Sequence, residues 1–582
     1  MPNVLAMSFE GTLAPSFDMR CMREGGRLPD GWGIGYFPGG EPSASVLKEP
    51  APQEGSIRSE LVKAWEHLAS SIFVLHLRTA TWGSVSDANT QPFLRSFARR
   101  DWLFAHSGSL VHRLEPEGKR RFEPVGSTDT ELLFCEVLSR IAESGWRSLA
   151  DVPPDTLHGW MAELNEHGEL TTVLTDGRDL CVYADKDGKG PVYLWQLMPP
   201  YDRVVFGDED LAIDLTRRGV MSRKGVILSS TPLQPVQDGT AEWRVVPAGH
   251  LVMVRQGAVT AEVAAKASGT PEQPSPRPAF ITRGGHSLPK RAEPRRLLVT
   301  HRTVYGYESP VERSTHLLRL FPYHDRLQTV LGCDVRMSVD GAGRTYEDVF
   351  GNRVRRVLIE KPYTELVIEA ASTVELLDTD AMAFRPIHAK TSIPLVWMPW
   401  QRHMLQPYLL PPELPESELR ELTDYAMSFV ERNAYDLLDT LLDLNASIFA
   451  EYEYRQGSTN NFTTAFEVYA NRQGVCQDFT NLFICLARLL GVPARYVCGY
   501  LYTGPRNPNQ RQAEASHAWV QVYLPEVGWR GFDPTNGVVT QTDHVRVAVG
   551  RNYVDATPTS GTIYVGGGPE TLEVVVRVEP VG

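Results

Sequence analysis

The segment Gly474-Val475-Cys476-Gln477-Asp478-Phe479 runs directly into Leu482, Phe483, Cys485, Leu486, Leu489 and Leu490, and stops at Gly491-Val492-Pro493. Those apolar residues recur three and four positions apart, which is one face of an α-helix, and glycine followed by proline is a helix stop. Cys476 therefore opens a helix. At that end the unpaired backbone N–H groups and the helix dipole favour thiolate over thiol, and the thiolate is the form that attacks an acyl carbon. The backbone N–H of Cys476 is also a candidate donor to the oxyanion that such an attack creates.

A base for the thiol has to arrive from elsewhere in the fold. Working outward, 41 residues further on stands Ala515-Ser516-His517-Ala518-Trp519-Val520-Gln521-Val522-Tyr523, whose alternation is that of a strand with His517 near its start. A turn at Pro525-Glu526-Val527-Gly528 leads into Trp529-Arg530-Gly531-Phe532-Asp533-Pro534. Asp533 follows His517 by 16 residues, and a hairpin of that length can put both side chains on one sheet face. A carboxylate there would fix the imidazole tautomer and stabilise the imidazolium, which completes the ingredients of covalent acyl transfer. A cysteine beside an apolar helix is ordinarily a small packed hydrophobe, and Cys485 and Cys498 read that way. What separates Cys476 from them is the ordered set of Gly-Val-Cys, Ser-His-Ala-Trp and Phe-Asp-Pro-Thr.

From about Arg296 to the end, these motifs resemble those of bacterial transglutaminase-like proteins, a small β-rich region followed by a papain-like core. Gly491-Val492-Pro493-Ala494-Arg495-Tyr496-Val497, Gly528-Trp529, Thr535-Asn536 and His544-Val545-Arg546-Val547-Ala548-Val549-Gly550-Arg551 belong to the same likeness. The resemblance implies a triad of Cys476, His517 and Asp533 and no metal or organic cofactor. It leaves open whether the thioester passes to water or to an amine, and it leaves the side-chain oxyanion donor open between Gln456 and Thr464.

Length and composition set the frame around this region. The chain has 582 residues, 42% of them hydrophobic and 22% charged, so several domains of roughly 150 residues are expected. Residues 265–294 are dense in Gly, Pro, Ser and Lys, the signature of a linker. Upstream, strand-like runs at Ile72–Leu75 and Trp102–Ala105 mix with a helical pattern from Thr128 to Ile141. Downstream, Leu297 to Tyr307 and Glu365 to Leu376 read as strands, with turns at Asp340-Gly341 and Phe350-Gly351-Asn352. Residues 386–415, rich in Pro, Trp and Met, have no sustained period and are expected to form an extended ordered connector; helices are expected from Ser417 and from Leu437. The expected division is 1–264, linker 265–294, β-rich module 295–385, connector 386–415 and core 416–582.

The first 262 residues resemble a class II glutamine amidotransferase domain, an α/β/β/α sandwich of the N-terminal-nucleophile type that releases ammonia from glutamine. The likeness rests on Asp30-Gly31-Trp32-Gly33-Ile34-Gly35, His76-Leu77-Arg78-Thr79-Ala80-Thr81, Asn89-Thr90-Gln91-Pro92-Phe93, Phe104-Ala105-His106-Ser107-Gly108 and Ser127-Thr128-Asp129-Thr130-Glu131. In that family a cysteine follows Met1; here Pro2 does. Ser107 stands for the family's oxyanion asparagine, before Gly108, and Gln91 for its histidine. Without the covalent nucleophile, glutaminase activity is expected to be absent. Arg78 and Asp129 match the family's ligands for the α-carboxylate and α-amine, so the resemblance implies a retained pocket for glutamine, a γ-glutamyl compound or another free amino-acid end. The bland alternative is that Arg78 and Asp129 make a structural ion pair.

The formal charge of −13 argues against a nucleic-acid partner, because phosphate binding needs a basic surface and only Lys290 to Arg296 is locally basic. No apolar run approaches the roughly 18 residues of a membrane span. The start Met1-Pro2-Asn3-Val4 lacks a secretory pattern, and seven scattered cysteines never spaced C-x-x-C read as reduced thiols, so a cytoplasmic location is expected. The expected function is thioester-mediated acyl transfer on a peptide or protein substrate carrying an amide or a glutamine side chain, with hydrolysis of a peptide or isopeptide amide slightly favoured over transamidation. The alternative from another class is a non-enzymatic scaffold built from two degenerate enzyme domains. A working amidotransferase feeding ammonia to the second half conflicts with Pro2.

Overall fold

A computed structural model describes the chain apart from residues 1–2, 20–29, 41, 52–56, 65–67, 79–83, 112–120, 202, 209–210, 217–222, 236–240, 265–291, 383–390, 460–462, 505–515 and 582. The chain divides into two compact units, Met1–Arg283 and Gly284–Gly582. Residues 265–291 of the expected linker lie outside the described ones.

The first unit is built on two antiparallel sheets. One has seven strands, ordered Trp243–Val246, Val192–Leu197, Gly225–Ser229, Val4–Leu13, Ser70–Arg78, Gly31–Tyr36 and Ser45–Pro50. The other has six, ordered Ala258–Val263, Leu251–Arg255, Asp179–Tyr183, Thr171–Thr175, Arg100–Ser107 and Phe93–Phe97. Their facing sides are filled by short branched side chains such as Val4, Val74, Val173, Val182, Val226 and Val252. Helices Asp129–Glu143 and Pro154–Leu164 cover the outer face of the six-stranded sheet through Phe104, Phe134, Leu138, Leu157 and Leu174. On the other outer face, Val62 of helix Ile57–Ala64 joins Phe9, Phe73 and Phe17. This is the expected α/β/β/α sandwich; both faces of each sheet are buried, which is why its central strands read as unbroken apolar runs. A further four-stranded sheet, Gln234–Pro235, Val205–Gly207, Leu211–Asp214 and Ser16–Met19, accompanies them.

The second unit combines a β-rich module with a mixed core. Its organiser is one strand of 24 residues, Arg295–Leu318, whose side chains alternate inward at Leu297, Val299 and His301. Residues 295–306 pair with Tyr363–Leu376 and residues 314–318 with Arg353–Ile359. Its opposite edge takes the two last strands of the chain, Thr559–Gly566 and Glu570–Pro580. The last two strands thus complete the module's sheet and not the five-stranded sheet of the core. Partner choice among strands is set by which edge is open, a tertiary property with no local signature.

Residues 386–415 also depart from expectation. Positions 386–390 lie outside the described residues, but Pro399–Leu405 is a helix and Gln406–Tyr408 a 3-10 turn. Pro399 starts the helix where a missing N–H does no harm. The segment does pack through aromatics, with Trp397 donating to the Gly491 carbonyl at 3.2 Å and Tyr408 edge-on to Trp529.

In the core, the helices Glu416–Arg432, Leu437–Glu451, Ala465–Asn471 and Cys476–Leu489 accompany a five-stranded antiparallel sheet. Its order is Val538–Val539, Gly528–Asp533, His517–Leu524, Ala494–Leu501, His544–Gly550. Leu482, Phe483 and Leu486 of the last helix join Tyr496, Ala518, Val520 and Phe532 of the sheet in one buried cluster. Gly491 ends that helix at φ +73°, a left-handed turn natural only to glycine. Among the described residues no helix is long and apolar enough to cross a membrane.

Candidate active site

Cys476 is the first residue of its helix, with Val475 as the N-cap. Asp478 reaches back so that its Oδ2 accepts the Val475 N–H at 2.8 Å, and the Thr459 hydroxyl donates to the same oxygen at 2.5 Å. The loop before the cysteine is thereby tied to the first helical turn, and the thiol, half-buried and free, stays where the helix dipole acts on it. Burial pushes the Asp478 carboxyl up, with the Thr459 and Val475 hydrogen bonds working against that rise. Cys485 and Cys498 are buried free thiols pushed up to about 12 by burial, as packed hydrophobes should be.

His517 begins its strand, and the hairpin register pairs Val520 with Phe532. One step further along that register Asp533 falls across from Trp519, a diagonal neighbour of His517 on the same face. Accordingly His517 Nε2 donates to Asp533 Oδ2 at 2.8 Å, both side chains almost fully buried. The other ring nitrogen is left free of Asp533, and the Cys476 sulfur interacts with His517 closely enough to raise its pKa. Burial alone would drive the His517 imidazolium to lose its proton, but the Asp533 carboxylate and the Cys476 sulfur outweigh it and hold the ring at about 10. Asp533, although desolvated, is held well below the usual carboxylate range by His517 and His544. The structure therefore brings Cys476, His517 and Asp533 together in the order read from the sequence.

Three further residues surround Asp533. Asn536 Nδ2 donates to Oδ2 at 2.7 Å, while the backbone N–H groups of Thr535 and Asn536 meet Oδ1 at 3.0 and 3.3 Å. His544 Nε2 donates to the same Oδ2 at 3.1 Å, and its Nδ1 donates to Asp543 Oδ1 at 2.6 Å. Trp519, fully buried, lies with its ring 5.9 Å from that of His517 and 5.1 Å from that of His544. His544 belongs to a stretch of the transglutaminase-like resemblance, yet nothing local marks its role; its strand pairs with Ala494–Leu501, three places from the Asp533 strand in the sheet. His517, Asp533 and His544 offer ligand atoms within 4.8 Å of one another. The separations between nitrogen and carboxylate oxygen are those of N–H···O hydrogen bonds, which account for the cluster without an ion.

Of the two side chains read as oxyanion donors, Thr464 is occupied as an N-cap, its hydroxyl accepting the Glu467 N–H at 3.1 Å. Gln456 is exposed and stands one residue beyond Arg455, whose N–H binds the Gly474 carbonyl at 2.9 Å, two residues before the cysteine.

In the first unit, Asp129, Ser107 and Gly108 line one cavity of about 260 Å³ together with His76, Gln91, His106, Glu169, Asp185 and Lys189. No cysteine lines it among the described residues. The side chain of Arg78 lies outside the described ones, so the proposed pair with Asp129 does too; Asp129 instead accepts the N–H groups of Leu110 at 3.0 Å and Thr130 at 2.9 Å. Gln91 fills its position by bonding both backbone groups of His106, at 2.7 and 3.1 Å. Burial pushes the His106 imidazole down, so it is neutral. Gly108 has φ +136°, and a Cβ there would come within 2.3 Å of the Glu169 carbonyl oxygen, so only glycine fits.

Fold and side chains thus define an amidotransferase-type sandwich joined to a cysteine-bearing papain-like core. The family model for class-II glutamine amidotransferases matches residues 1–277, that for the bacterial transglutaminase-like N-terminal region 297–375, and that for the transglutaminase-like superfamily 424–534. The chain thus carries a class-II glutamine amidotransferase-like region followed by a bacterial transglutaminase-like N-terminal region and a transglutaminase-like core. It is 33% identical over 298 residues to an uncharacterised protein of Mycobacterium tuberculosis, covering 49% of this chain and 93% of that one. An uncharacterised protein of Methanocaldococcus jannaschii is 31% identical over 238 residues, 39% of this chain, and the chain spans 62% of that relative's length. A crystal structure of a predicted glutamine amidotransferase from Pseudomonas aeruginosa is also similar, at 23% identity and TM-score 0.37, over 44% of this chain and 99% of that one.

Proposed function

We propose that the second unit carries out cysteine-dependent acyl transfer, with Cys476 as nucleophile, His517 as acid and base, and Asp533 as orienter. The observation that carries this reading is the buried bond of His517 Nε2 to Asp533 at 2.8 Å, which leaves the other nitrogen to a thiol at a helix N-terminus. In the reaction Sγ adds to the carbonyl carbon of an amide, and the oxygen takes up the negative charge. The Cys476 N–H and the Gln456 side-chain amide are the donors assigned to it. His517 then gives its proton to the departing nitrogen as the C–N bond breaks, leaving a thioester. Water, deprotonated by His517, attacks that thioester and releases the acid; an amine in place of water would give transamidation. Hydrolysis of a peptide or isopeptide amide is the favoured outcome.

The first unit is assigned a binding role without catalysis. Its cavity is acidic, with Asp129, Asp185 and Glu169 against Lys189, which suits the ammonium of a free amino acid or γ-glutamyl compound. Neither reading calls for a cofactor.

The test is a peptide and isopeptide cleavage screen with and without amine acceptors, run on the full chain and on Cys476→Ala. Turnover that vanishes in the variant supports the reading. Equal turnover by both proteins, or alkylation of Cys476 no faster than that of the other cysteines near neutral pH, favours a scaffold of two inactive domains.

A further inference from the structure

Resting on that reading of the site, we propose that Asp543 and His544 are positioning residues: a second acid–base pair, behind Asp533, that sets the protonation of the Cys476–His517 pair. The groups then form one alternating series, Asp543, His544, Asp533, His517, Cys476.

The geometry requires more of His544 than packing. Both of its ring nitrogens face carboxylate oxygens, Asp543 Oδ1 at 2.6 Å and Asp533 Oδ2 at 3.1 Å. Carboxylates only accept, so both nitrogens satisfy their partners only when both carry hydrogen, that is, as the imidazolium. The Asp543 carboxylate, followed by that of Asp533, raises His544 to about 9 against its complete burial. Asp533 Oδ2 meanwhile receives three donors, from His517, His544 and Asn536. Its charge is therefore shared between two imidazolium rings whose centroids lie 6.2 Å apart. A ring serving only to hold the carboxylate in place would need one N–H and no charge.

The other charged groups near His544 have partners of their own. The small cavity it lines also includes Asp378 and Arg546. Arg546 is paired with Asp325 at 2.5 and 2.7 Å, and Asp378 faces Arg530 at 3.8 Å. The Trp519 ring covers it edge-on and carries no charge.

Removing the His544 charge leaves Asp533 with one imidazolium partner in place of two and takes from Asp543 the cation it faces. The thiolate of Cys476 then forms less readily, and His517 holds its proton more tightly. Both changes move the working pH range upward, by about one unit for a charge at this separation.

The test measures the rate of Cys476 carboxamidomethylation by iodoacetamide against pH, read by peptide mass, in the full-length wild type, His544→Gln and Asp543→Asn. Glutamine keeps an N–H for Asp533 but no charge. The expected result for His544→Gln is a profile displaced upward by about one pH unit with its plateau within about threefold of wild type. Asp543→Asn, on the exposed side, follows wild type at low pH. It bends toward the His544→Gln profile where His544, no longer held by Asp543, releases its proton. If His544→Gln does not fold, as judged by circular dichroism, Asp543→Asn decides. Superimposable profiles, or a uniform loss of rate at every pH, overturn the proposal. A wild type in which Cys476 reacts no faster than the other cysteines overturns instead the reading of the site on which it rests.

Discussion

Each unit sets its candidate residues where a helix begins beside a sheet, and among the described residues the parts of thiol chemistry come together in the second. At Cys476 the sulfur, an imidazole held near 10 and a carboxylate held low form a continuous series in a buried setting. At Asp129 the cavity is acidic, His106 in its lining is pushed toward the neutral form by burial, and no cysteine appears among its described lining residues. The contrast teaches that a pocket's architecture and its reactivity are separable. Backbone features such as Gly108 are fixed by sterics, whereas reactivity depends on a few side chains that can be exchanged without disturbing the fold.

The largest test of that contrast is Cys476→Ala, expected to lower amide turnover by about 10⁶-fold, the scale of losing a covalent nucleophile. The same variant should release no ammonia from glutamine, measured by a coupled dehydrogenase assay; release would show that the first unit is catalytic and would break the comparison. Asp533→Asn should lower turnover by about 10⁴-fold while leaving the fold intact, because an amide holds the wrong tautomer of His517. Turnover within tenfold of wild type would remove Asp533 from the mechanism.

Acid and base should act on the two sites in opposite directions. His517 and His544 are raised to about 10 and about 9, above the roughly 6.5 of an unfolded histidine, so their contribution to stability is full below that value. It fades as pH climbs through 9 to 10. His106 is lowered, so its contribution is present above about 6.5 and is lost as pH falls below it. Hydrogen exchange on the full chain, corrected for intrinsic rates, should show protection around His517–Leu524 falling on alkalisation and around Arg100–Ser107 falling on acidification. Parallel trends would contradict the assignment.

The smallest expected effect concerns the helix starts. Asp478→Ala and Thr128→Ala each remove a side-chain acceptor from an N-terminal N–H, Val475 in one case and Glu131 in the other. Each should cost about 1 kcal/mol by denaturant titration. Asp478→Ala should in addition slow Cys476 alkylation, whereas Thr128→Ala should not.

Much of the site was legible in the chain because its parts carry strong local signals. The Cys476 helix has a glycine stop and a three-four apolar repeat, and His517 and Asp533 lie on two strands of one hairpin, so short-range geometry suffices to bring those two together. His544 was not legible in the same way. It arrives on a strand whose neighbour is Ala494–Leu501, at the opposite edge of the sheet from the Asp533 strand's side, and still contacts Asp533. The short helix at Pro399–Leu405 was missed because seven residues show too little of a period to read.

By itself the sequence determined that a cysteine opens a helix, that a histidine and an aspartate share a hairpin, and that two different folds follow one another. These follow from periodicity and spacing within a few tens of residues. Only the tertiary structure decided which edge of Arg295–Leu318 the final strands would take, that the Thr464 hydroxyl caps a helix, and that a second imidazole shares Asp533. Each of those depends on how strands and helices pair once the chain has folded, and no local pattern of residues encodes that pairing.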